Sequence, residues 1–283
     1  MENSKVRFSP FPFAIISLLI IFLLYQVSGL IILNIIGNSA NQLRIGTIIG
    51  QFIFLLLPIL VLSKIQFGKI SAIAKFKIPL ISEIFLITVS VISLTILLEG
   101  FLSLQSQIPW PEEIKQIIQR IELLFNDAFK VLLSTNNIFE SILVFITIAL
   151  TPAICEELVF RGFLQSSLNL NFSPKLAFIL TGILFGLFHF NPLNAIPLVI
   201  IGIYFSYLVY LTDSIVASMI AHLTNNTVMM LIYFSFPEFA EPMEQNYSSS
   251  EILSIISMMI FSSLIFYFTI KLLKFLQSRK NEL

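Results

Sequence analysis

Two adjacent glutamates and an arginine interrupt an apolar stretch in the middle of the chain, TPAICEELVFRGFL at residues 151–164. Residues four apart share one face of a helix, so Glu157 and Arg161 can pair, whereas Glu156 is rotated by about 100° and can point elsewhere. An ionisable side chain in the membrane interior costs about 2.5–3.5 kcal/mol on insertion scales and usually serves a function. A carboxyl group in this setting is a candidate general base, so Glu156 could activate water for hydrolysis.

Both histidines of the chain and one asparagine extend this set. His222 and Asn226 are four residues apart, so both can offer N–H groups to one point, as an oxyanion hole requires. His189 can polarise or deprotonate the same water as Glu156. At 1.5 Å per residue, Glu156, His189, His222 and Asn226 lie roughly 18, 22, 12 and 18 Å from the inner ends of their predicted helices. The spacing therefore predicts one polar layer inside the membrane.

Composition predicts a polytopic membrane protein. Of the 283 residues, 57% are hydrophobic and 11% are charged, whereas soluble domains carry roughly 25% charged residues. The net charge of zero argues against a nucleic-acid partner, and the single cysteine excludes an internal disulfide framework and a Cys-rich metal site. Cys155 lies on a different helical face from Glu156, so it is expected to be a small buried residue rather than a nucleophile.

Apolar runs long enough to cross a hydrocarbon core of roughly 30 Å predict an all-α membrane helix bundle of about eight transmembrane helices, with both termini cytoplasmic. Pro152 is expected to kink the fourth helix rather than end it. The segment from Ile114 repeats apolar residues at helical spacing, which favours an interfacial amphipathic helix over a substrate-gating element. The eight spans lie near residues 11–36, 45–63, 78–99, 138–168, 174–190, 192–212, 214–234 and 251–274.

The distribution of Lys and Arg supports this topology, because cytoplasmic loops are enriched in basic residues. The loop from Ser235 to Ser250 contains three glutamates and no basic residue, which is typical of an outer loop. With eight spans, twelve of the 16 basic residues fall on the inner side: Lys5, Arg7, Lys64, Lys69, Lys75, Lys77, Arg161, Lys175, Lys271, Lys274, Arg279 and Lys280.

Three motifs of the chain resemble those of the CPBP family and occur in the same order. This family comprises CAAX proteases and bacteriocin-processing enzymes and is also called the ABI family. It includes the Ras-converting CAAX endopeptidase. EELVFR reads as EExxxR, Phe185–His189 as FxxxH and His222–Asn226 as HxxxN. The resemblance covers roughly residues 138–235, which would be the CPBP-like catalytic core. Residues 1–137 would be a variable region with three transmembrane helices and the amphipathic helix, and residues 236–283 an outer loop and the final transmembrane helix.

This resemblance implies an intramembrane endopeptidase and gives each motif residue a role. Glu156 would activate water with the help of His189, and the oxyanion would be held by His222 and Asn226. Glu157 and Arg161 would support the site. The resemblance also implies two partners, the lipid bilayer and a peptide or lipidated protein within the membrane. The second partner would be a prenylated CAAX tail, a bacteriocin-like leader peptide or another membrane segment. The implied location is the cell (plasma) membrane.

Two questions stay open at the level of the sequence. Enzymes of this family are often labelled metalloproteases, and Glu156, His189 and His222 could hold zinc with one open position; the lack of an HExxH motif favours a metal-free mechanism. A proton-coupled transporter would also need ionisable groups at membrane depth, although the paired repeats typical of transporters are not visible. A catalytically inactive scaffold or immunity protein is the other alternative.

Overall fold

The computed structural model describes residues 6–36, 39–69, 73, 75–236 and 247–282, and within these residues the chain forms nine helices and no strand. The side chains of residues 30–36, 124, 125, 128, 281 and 282 are not described. The helices are α1 Pro10–Ile36, α2 Ala40–Phe67, α3 Ile81–Gln105, α4 Glu112–Leu133, α5 Ile138–Leu168, α6 Pro174–Phe188, α7 Ala195–Thr212, α8 Ile215–Ser235 and α9 Ser249–Glu282. The predicted polytopic, all-α membrane bundle is confirmed.

Seven of the helices in the described part of the chain are long and apolar enough to cross a membrane, rather than the predicted eight. The exception is α6, which has 15 residues and is roughly 22 Å long, shorter than a hydrocarbon core of about 30 Å. The apolar run continues to Phe190, but this residue has a positive φ of 51°. Because Pro192 also disfavours helix at the residue before it, α6 ends at Phe188 and α7 begins only at Ala195.

Helices α6 and α7 form an antiparallel hairpin. Although α6 is short, α7, α8 and α9 therefore run in the directions that the eight-span topology predicts. The segments assigned to the inner side by the positive-inside rule meet at one end of the bundle. The prediction that this end faces the cytoplasm stays a prediction. The contacts at this end are Arg7 N to Gln66 O at 3.2 Å, Lys75 Nζ to Asp213 Oδ1 at 2.5 Å, Ile215 N to Lys75 O at 3.1 Å and Lys280 Nζ to Glu83 Oε1 at 3.0 Å.

At the opposite end, the amphipathic segment forms α4, which is tied down by a buried arginine. The guanidinium of Arg44 is fully buried and donates from Nε to the carbonyl of Leu132 at 2.9 Å and from Nη2 to the carbonyl of Ser134. A positive charge at the carboxyl end of a helix stabilises both the unpaired carbonyls and the helix dipole. Arg44 of α2 therefore fixes the position of α4, the helix that connects the crossing helices α3 and α5.

Proline residues in α2 and α5 are accommodated by π-helical turns instead of ending these helices. Pro58 follows the π-helical segment Gln51–Leu56, and Pro152 follows the segment Ile146–Leu150. A proline cannot donate the usual backbone hydrogen bond and crowds the preceding turn, and a wider turn relieves this crowding. Helix α5 consequently continues through Pro152 to Leu168, as the sequence predicted, and carries Glu156, Glu157 and Arg161 inside the bundle.

Three glycines let α6 and α7 approach until their backbones touch. A Cβ atom at Gly202 would lie 2.6 Å from the carbonyl oxygen of Gly182, and one at Gly186 would lie 2.8 Å from the backbone nitrogen of Val199. Small residues at such positions are typical of closely packed membrane helices. This contact matters for the site because it places the carbonyl of Gly202 within reach of the arginine on α5.

We expect Gly182→Ala to destabilise the protein by about 1–3 kcal/mol, the usual cost of overpacking. A Cβ at this position would collide with the backbone nitrogen and Cα of Ile203, and neither atom can rotate away. Unfolding in mixed detergent micelles with increasing dodecyl sulfate would measure the change. Gly29→Ala is the matched control, because no atom lies within 4 Å of a Cβ built there. Equal midpoints for both variants would contradict the close α6–α7 contact.

Candidate active site

Helix α5 crosses the centre of the bundle and brings its charged residues against α6, α7 and α8. Glu157 and Arg161 form the ion pair expected from their spacing, with Arg161 Nη1 2.7 Å from Glu157 Oε1 and both side chains fully buried. Arg161 also donates from Nε to Ser206 Oγ at 3.2 Å and from Nη2 to the carbonyl of Gly202 at 2.8 Å. Such partners offset part of the cost of burying the charge of Arg161.

Aromatic rings enclose the arginine on two sides. The Arg161 guanidinium carbon lies 4.4 Å from the ring centroid of Phe185 and 5.4 Å from that of Phe205. The faces of these rings carry partial negative charge and attract a cation within about 6 Å. The arginine is thereby held at the junction of α5, α6 and α7, and its position fixes that of Glu157.

The partner of His222 was not foreseen in the sequence. His222 is 4% exposed, and its Nδ1 lies 2.8 Å from the same oxygen, Glu157 Oε1, that binds Arg161. An ionised carboxylate only accepts hydrogen bonds, so Nδ1 donates and carries the proton. Nε2 is then the ring nitrogen of His222 that is left for a substrate.

Glu156 faces away from this ion pair, towards His189 at the end of α6. Glu156 Oε2 lies 3.8 Å from His189 Nε2, too far for a direct hydrogen bond but a separation that one water molecule can bridge. Glu156 Oε2 is buried and has no hydrogen-bond partner among the described residues. The side chains are 15% exposed for Glu156 and 29% exposed for His189, so neither is fully enclosed by the protein.

The tautomer of His189 follows from its backbone contact. Its Nδ1 lies 2.8 Å from the carbonyl oxygen of Phe185. Since a carbonyl oxygen can only accept, Nδ1 donates, and in the neutral ring Nε2 is an unprotonated acceptor. Glu156 Oε2 and His189 Nε2 therefore present two facing acceptors, which is the arrangement that binds both hydrogens of one water.

Asn226 is held directly by a residue of α5 and by its neighbour on α8, which is itself bonded to α3. Its Nδ2 donates to the carbonyl of Ile148 at 2.9 Å, within a π-helical segment of α5, and its Oδ1 accepts from Asn225 Nδ2 at 3.2 Å. Asn225 in turn accepts from Thr95 Oγ1 at 3.0 Å. An amide nitrogen has two hydrogens, so one N–H of Asn226 stays available to a substrate oxygen while the other fixes its orientation.

The candidate zinc ligands Glu156, His189 and His222 were compared with the arrangement that a metal ion requires. Within the described ranges, no three His, Cys, Asp or Glu side chains lie close enough together to hold a metal ion. His222 Nδ1 binds Glu157, whereas His189 Nε2 faces Glu156. Cys155 is a free, buried thiol in the apolar cluster with Val159 and Phe185, as expected for a packing residue.

Several supporting residues were missed in the sequence because single polar residues with no motif give no signal. Ser206 and Gly202 on α7 bind Arg161, and Thr95 on α3 orders the two asparagines of α8. The pair Asn225–Asn226 was the one usable signal, since two adjacent amides in a membrane helix require polar partners on different faces.

Comparison with known families adds an independent finding. Residues 138–228 match the model of the family described as type II CAAX prenyl endopeptidase Rce1-like. The match begins with α5 and ends in α8, so it includes all six motif residues and supports a CPBP/CAAX protease assignment. No curated protein and no solved structure matches the chain.

Proposed function

We propose that this protein, which its segment 138–228 assigns to the CAAX proteases of the CPBP family, hydrolyses a peptide bond with water activated by Glu156 and His189. The observation that carries this proposal is the pair of facing acceptors, Glu156 Oε2 and His189 Nε2, 3.8 Å apart. A water molecule between them would donate one hydrogen to each and turn a lone pair towards a substrate carbonyl. The assignment itself supports a CAAX-type intramembrane endopeptidase in general.

The chemical steps balance with the groups present. The water oxygen attacks the scissile carbonyl carbon while Glu156 accepts a proton from it, and the carbonyl oxygen becomes an oxyanion. The free N–H of Asn226 and the Nε2 side of His222 would stabilise this oxyanion. Glu156 then gives its proton to the leaving amine as the carbon–nitrogen bond breaks. The second proton of the water stays on the new acid group, so the products are a carboxylic acid, which then ionises in water, and an amine, and the enzyme returns to its starting protonation state.

His222 needs one further proton for this role. Its Nδ1 already donates to Glu157, so donation from Nε2 as well requires the imidazolium form. Glu157 can share its negative charge between this ring and Arg161 because one oxygen, Oε1, contacts both. We therefore assign Glu157 and Arg161 a positioning role, in which they hold His222 at the depth of Glu156.

The proposed substrate is a peptide segment that reaches the site within the membrane. The candidate active site lies on helices long enough to cross a membrane, and the family description names a prenyl endopeptidase. A prenylated CAAX tail is therefore the substrate class that we propose first. Leader peptides of bacteriocin-like precursors and other membrane segments are the alternatives.

We expect the purified protein in proteoliposomes to cleave a prenylated CAAX reporter peptide, and a metal chelator to leave the rate unchanged. The physical reason is that no three His, Cys, Asp or Glu side chains among the described residues lie close enough together to hold a metal ion. Mass spectrometry of the products would locate the cut. A zinc-dependent protease treated in parallel is the control for chelation.

Other outcomes of this experiment point to specific alternatives. Loss of activity that added zinc restores would contradict the metal-free mechanism while leaving the protease function intact. If only an unprenylated membrane peptide is cleaved, the substrate class is a membrane segment rather than a prenylated CAAX tail. If no peptide is cut and the proteoliposomes show proton-coupled flux, the protein is a transporter; if neither is seen, an inactive scaffold is favoured.

A further inference from the structure

The ring of His222 packs against two phenylalanines in addition to its bond with Glu157. Its centroid lies 5.4 Å from that of Phe205, with 36° between the ring planes, and 5.9 Å from that of Phe185, with 84° between them. Aromatic pairs prefer such offset and edge-on arrangements, at about 4.5–7 Å. The phenylalanines are 1% and 2% exposed, so both rings are held inside the bundle. Together with the Glu157 bond, they fix the plane of the imidazole and the direction of Nε2.

Phe205 also contacts the other group that shares Glu157. The guanidinium carbon of Arg161 lies over the Phe205 ring, 5.4 Å from its centroid. Arg161 Nη1 and His222 Nδ1 both bind Glu157 Oε1, at 2.7 and 2.8 Å. A single ring of α7 therefore lies beside both side chains that divide the charge of one carboxylate oxygen. Phe205 falls between the second and third sequence motifs and belongs to neither.

The position of the Phe205 ring is set by the packing of α7 against α8. Phe205 belongs to the same buried cluster as Ala217 and Ala221, which are both 0% exposed. These alanines are four residues apart and share one face of α8, and the second of them directly precedes His222. Small side chains on this face leave room for a large ring of α7 next to the imidazole.

The proposed reaction requires His222 as an imidazolium, because its Nδ1 proton is already used by Glu157. Among the described residues, the charged side chains in hydrogen-bond contact with this ring are Glu157 directly and Arg161 through the same oxygen. Helices α6 and α7 contribute uncharged phenylalanine rings to its surroundings. The face of such a ring carries partial negative charge and attracts a cation within about 6 Å.

We propose that Phe205 is a positioning residue for His222, which orients the imidazole towards the substrate oxyanion and stabilises its imidazolium form through the charge of the ring face. Glu157 supplies the hydrogen-bond acceptor for Nδ1, and Phe205 supplies the surface against which the ring lies. This inference rests on the proposed function, and it gives α7 a part in stabilising the transition state.

The kinetic test weakens the charge of the ring face and leaves the shape of the ring nearly unchanged. Phenylalanine analogues with one, two and three fluorine atoms at position 205 progressively withdraw electron density from the face. We expect kcat for the reporter to fall stepwise, to about one tenth with three fluorines, and KM to stay constant, since the ring acts on the holder of the oxyanion. A constant kcat across the series, with cleavage by wild type, would overturn the inference and leave the proposed function standing.

The same fluorine series at Phe163 is the matched control. Phe163 is also 1% exposed, and it packs at 6.2 Å against the rings of two other phenylalanines, Phe13 and Phe67. Its series should keep the wild-type kcat. An equal fall of kcat at both positions would mean that fluorine acts through packing, and the role of Phe205 would be lost. Phe205→Leu, which removes the ring altogether, should lower kcat at least as far as three fluorines.

A spectroscopic measurement does not depend on activity. The chain contains two histidines, and the ¹⁵N signals of their ring nitrogens distinguish the imidazolium from the neutral ring; a His189→Gln variant assigns them. At a fixed pH where both forms of His222 are present, the ratio of imidazolium to neutral ring should fall about tenfold along the series at Phe205, while the ratio for His189 stays constant.

The two measurements separate the inference from the proposed function. An unchanged ratio for His222 would overturn the role of Phe205, whether or not the reporter is cleaved. If the ratio falls as expected and no reporter is cleaved by wild type, the proposed function fails and the action of Phe205 on His222 stands.

Discussion

Glu156→Gln is expected to lower the rate of peptide hydrolysis by a factor of about 10²–10⁴, the usual contribution of a general base. Glutamine keeps the shape of the side chain and can still hydrogen-bond to water, but its oxygen does not accept a proton at neutral pH. The effect should appear in kcat, because the substrate contacts are unchanged. Single-turnover cleavage of the reporter peptide in proteoliposomes would measure it, with thermal unfolding as the check on folding.

Glu83→Gln is the control for removing a buried carboxylate. Glu83 is 1% exposed and binds Gln277 at 2.8 Å and Lys280 at 3.0 Å, at the end of the bundle where α9 ends. This variant should change stability and leave kcat at the wild-type value. Retention of activity in Glu156→Gln together with its loss in Glu157→Gln would transfer the role of the base to the second glutamate.

Sequence patterns predicted the bounds of a helix well where polar capping residues lie at or near both of its ends. The fourth span, 138–168, was predicted with the bounds that the structure shows, because Asn137 caps its start and Ser173 caps the following helix. The end of α6 was not predicted, since hydrophobicity continues through the turn at Phe190 and says nothing about its positive φ. Hydropathy predicts whether a segment can lie in the membrane, whereas the backbone dihedral angles determine the residue at which its helix ends.

Within the site, local spacing was sufficient for one contact only. The Glu157–Arg161 pair is four residues apart on one helix, so helical geometry alone predicts it. The contact between His222 and Glu157 joins residues 65 apart in the chain, and that between Arg161 and Gly202 joins residues 41 apart. Depth in the membrane places such groups in one layer, but the rotation of each helix about its axis is set by packing, here by the glycines of α6 and α7.

The same packing explains why residues before 138 matter to the site. Phe22 of α1 packs against Phe188 and Phe190, on either side of His189, yet it belongs to no recognisable motif. A phenylalanine in an apolar run is expected to face lipid or to fill space, so the sequence offered no reason to place it beside a histidine of the site. Contacts between distant helices are where sequence reasoning ends and the structure is required.

Arg161→Met should lower the free energy of unfolding by about 3–5 kcal/mol, because removing one partner of a buried ion pair leaves the other charge uncompensated. Methionine retains most of the volume between Phe185 and Phe205, so the loss measures charge rather than a cavity. The double variant Glu157→Gln with Arg161→Met should lose less than the sum of the two single variants, since it buries no unpaired charge. Dodecyl sulfate titration in mixed micelles would measure all three.

Lys75→Met provides the contrast for this prediction. Lys75 and Asp213 also form an ion pair, at 2.5 Å, but their side chains are 67% and 68% exposed, and exposed pairs contribute about 0–1 kcal/mol. A large loss for Arg161→Met beside a negligible one for Lys75→Met would show that burial decides the energetic importance of each pair. Equal effects would mean that water reaches Arg161 and screens it, and the positioning role of Glu157 and Arg161 under His222 would then lose its physical basis.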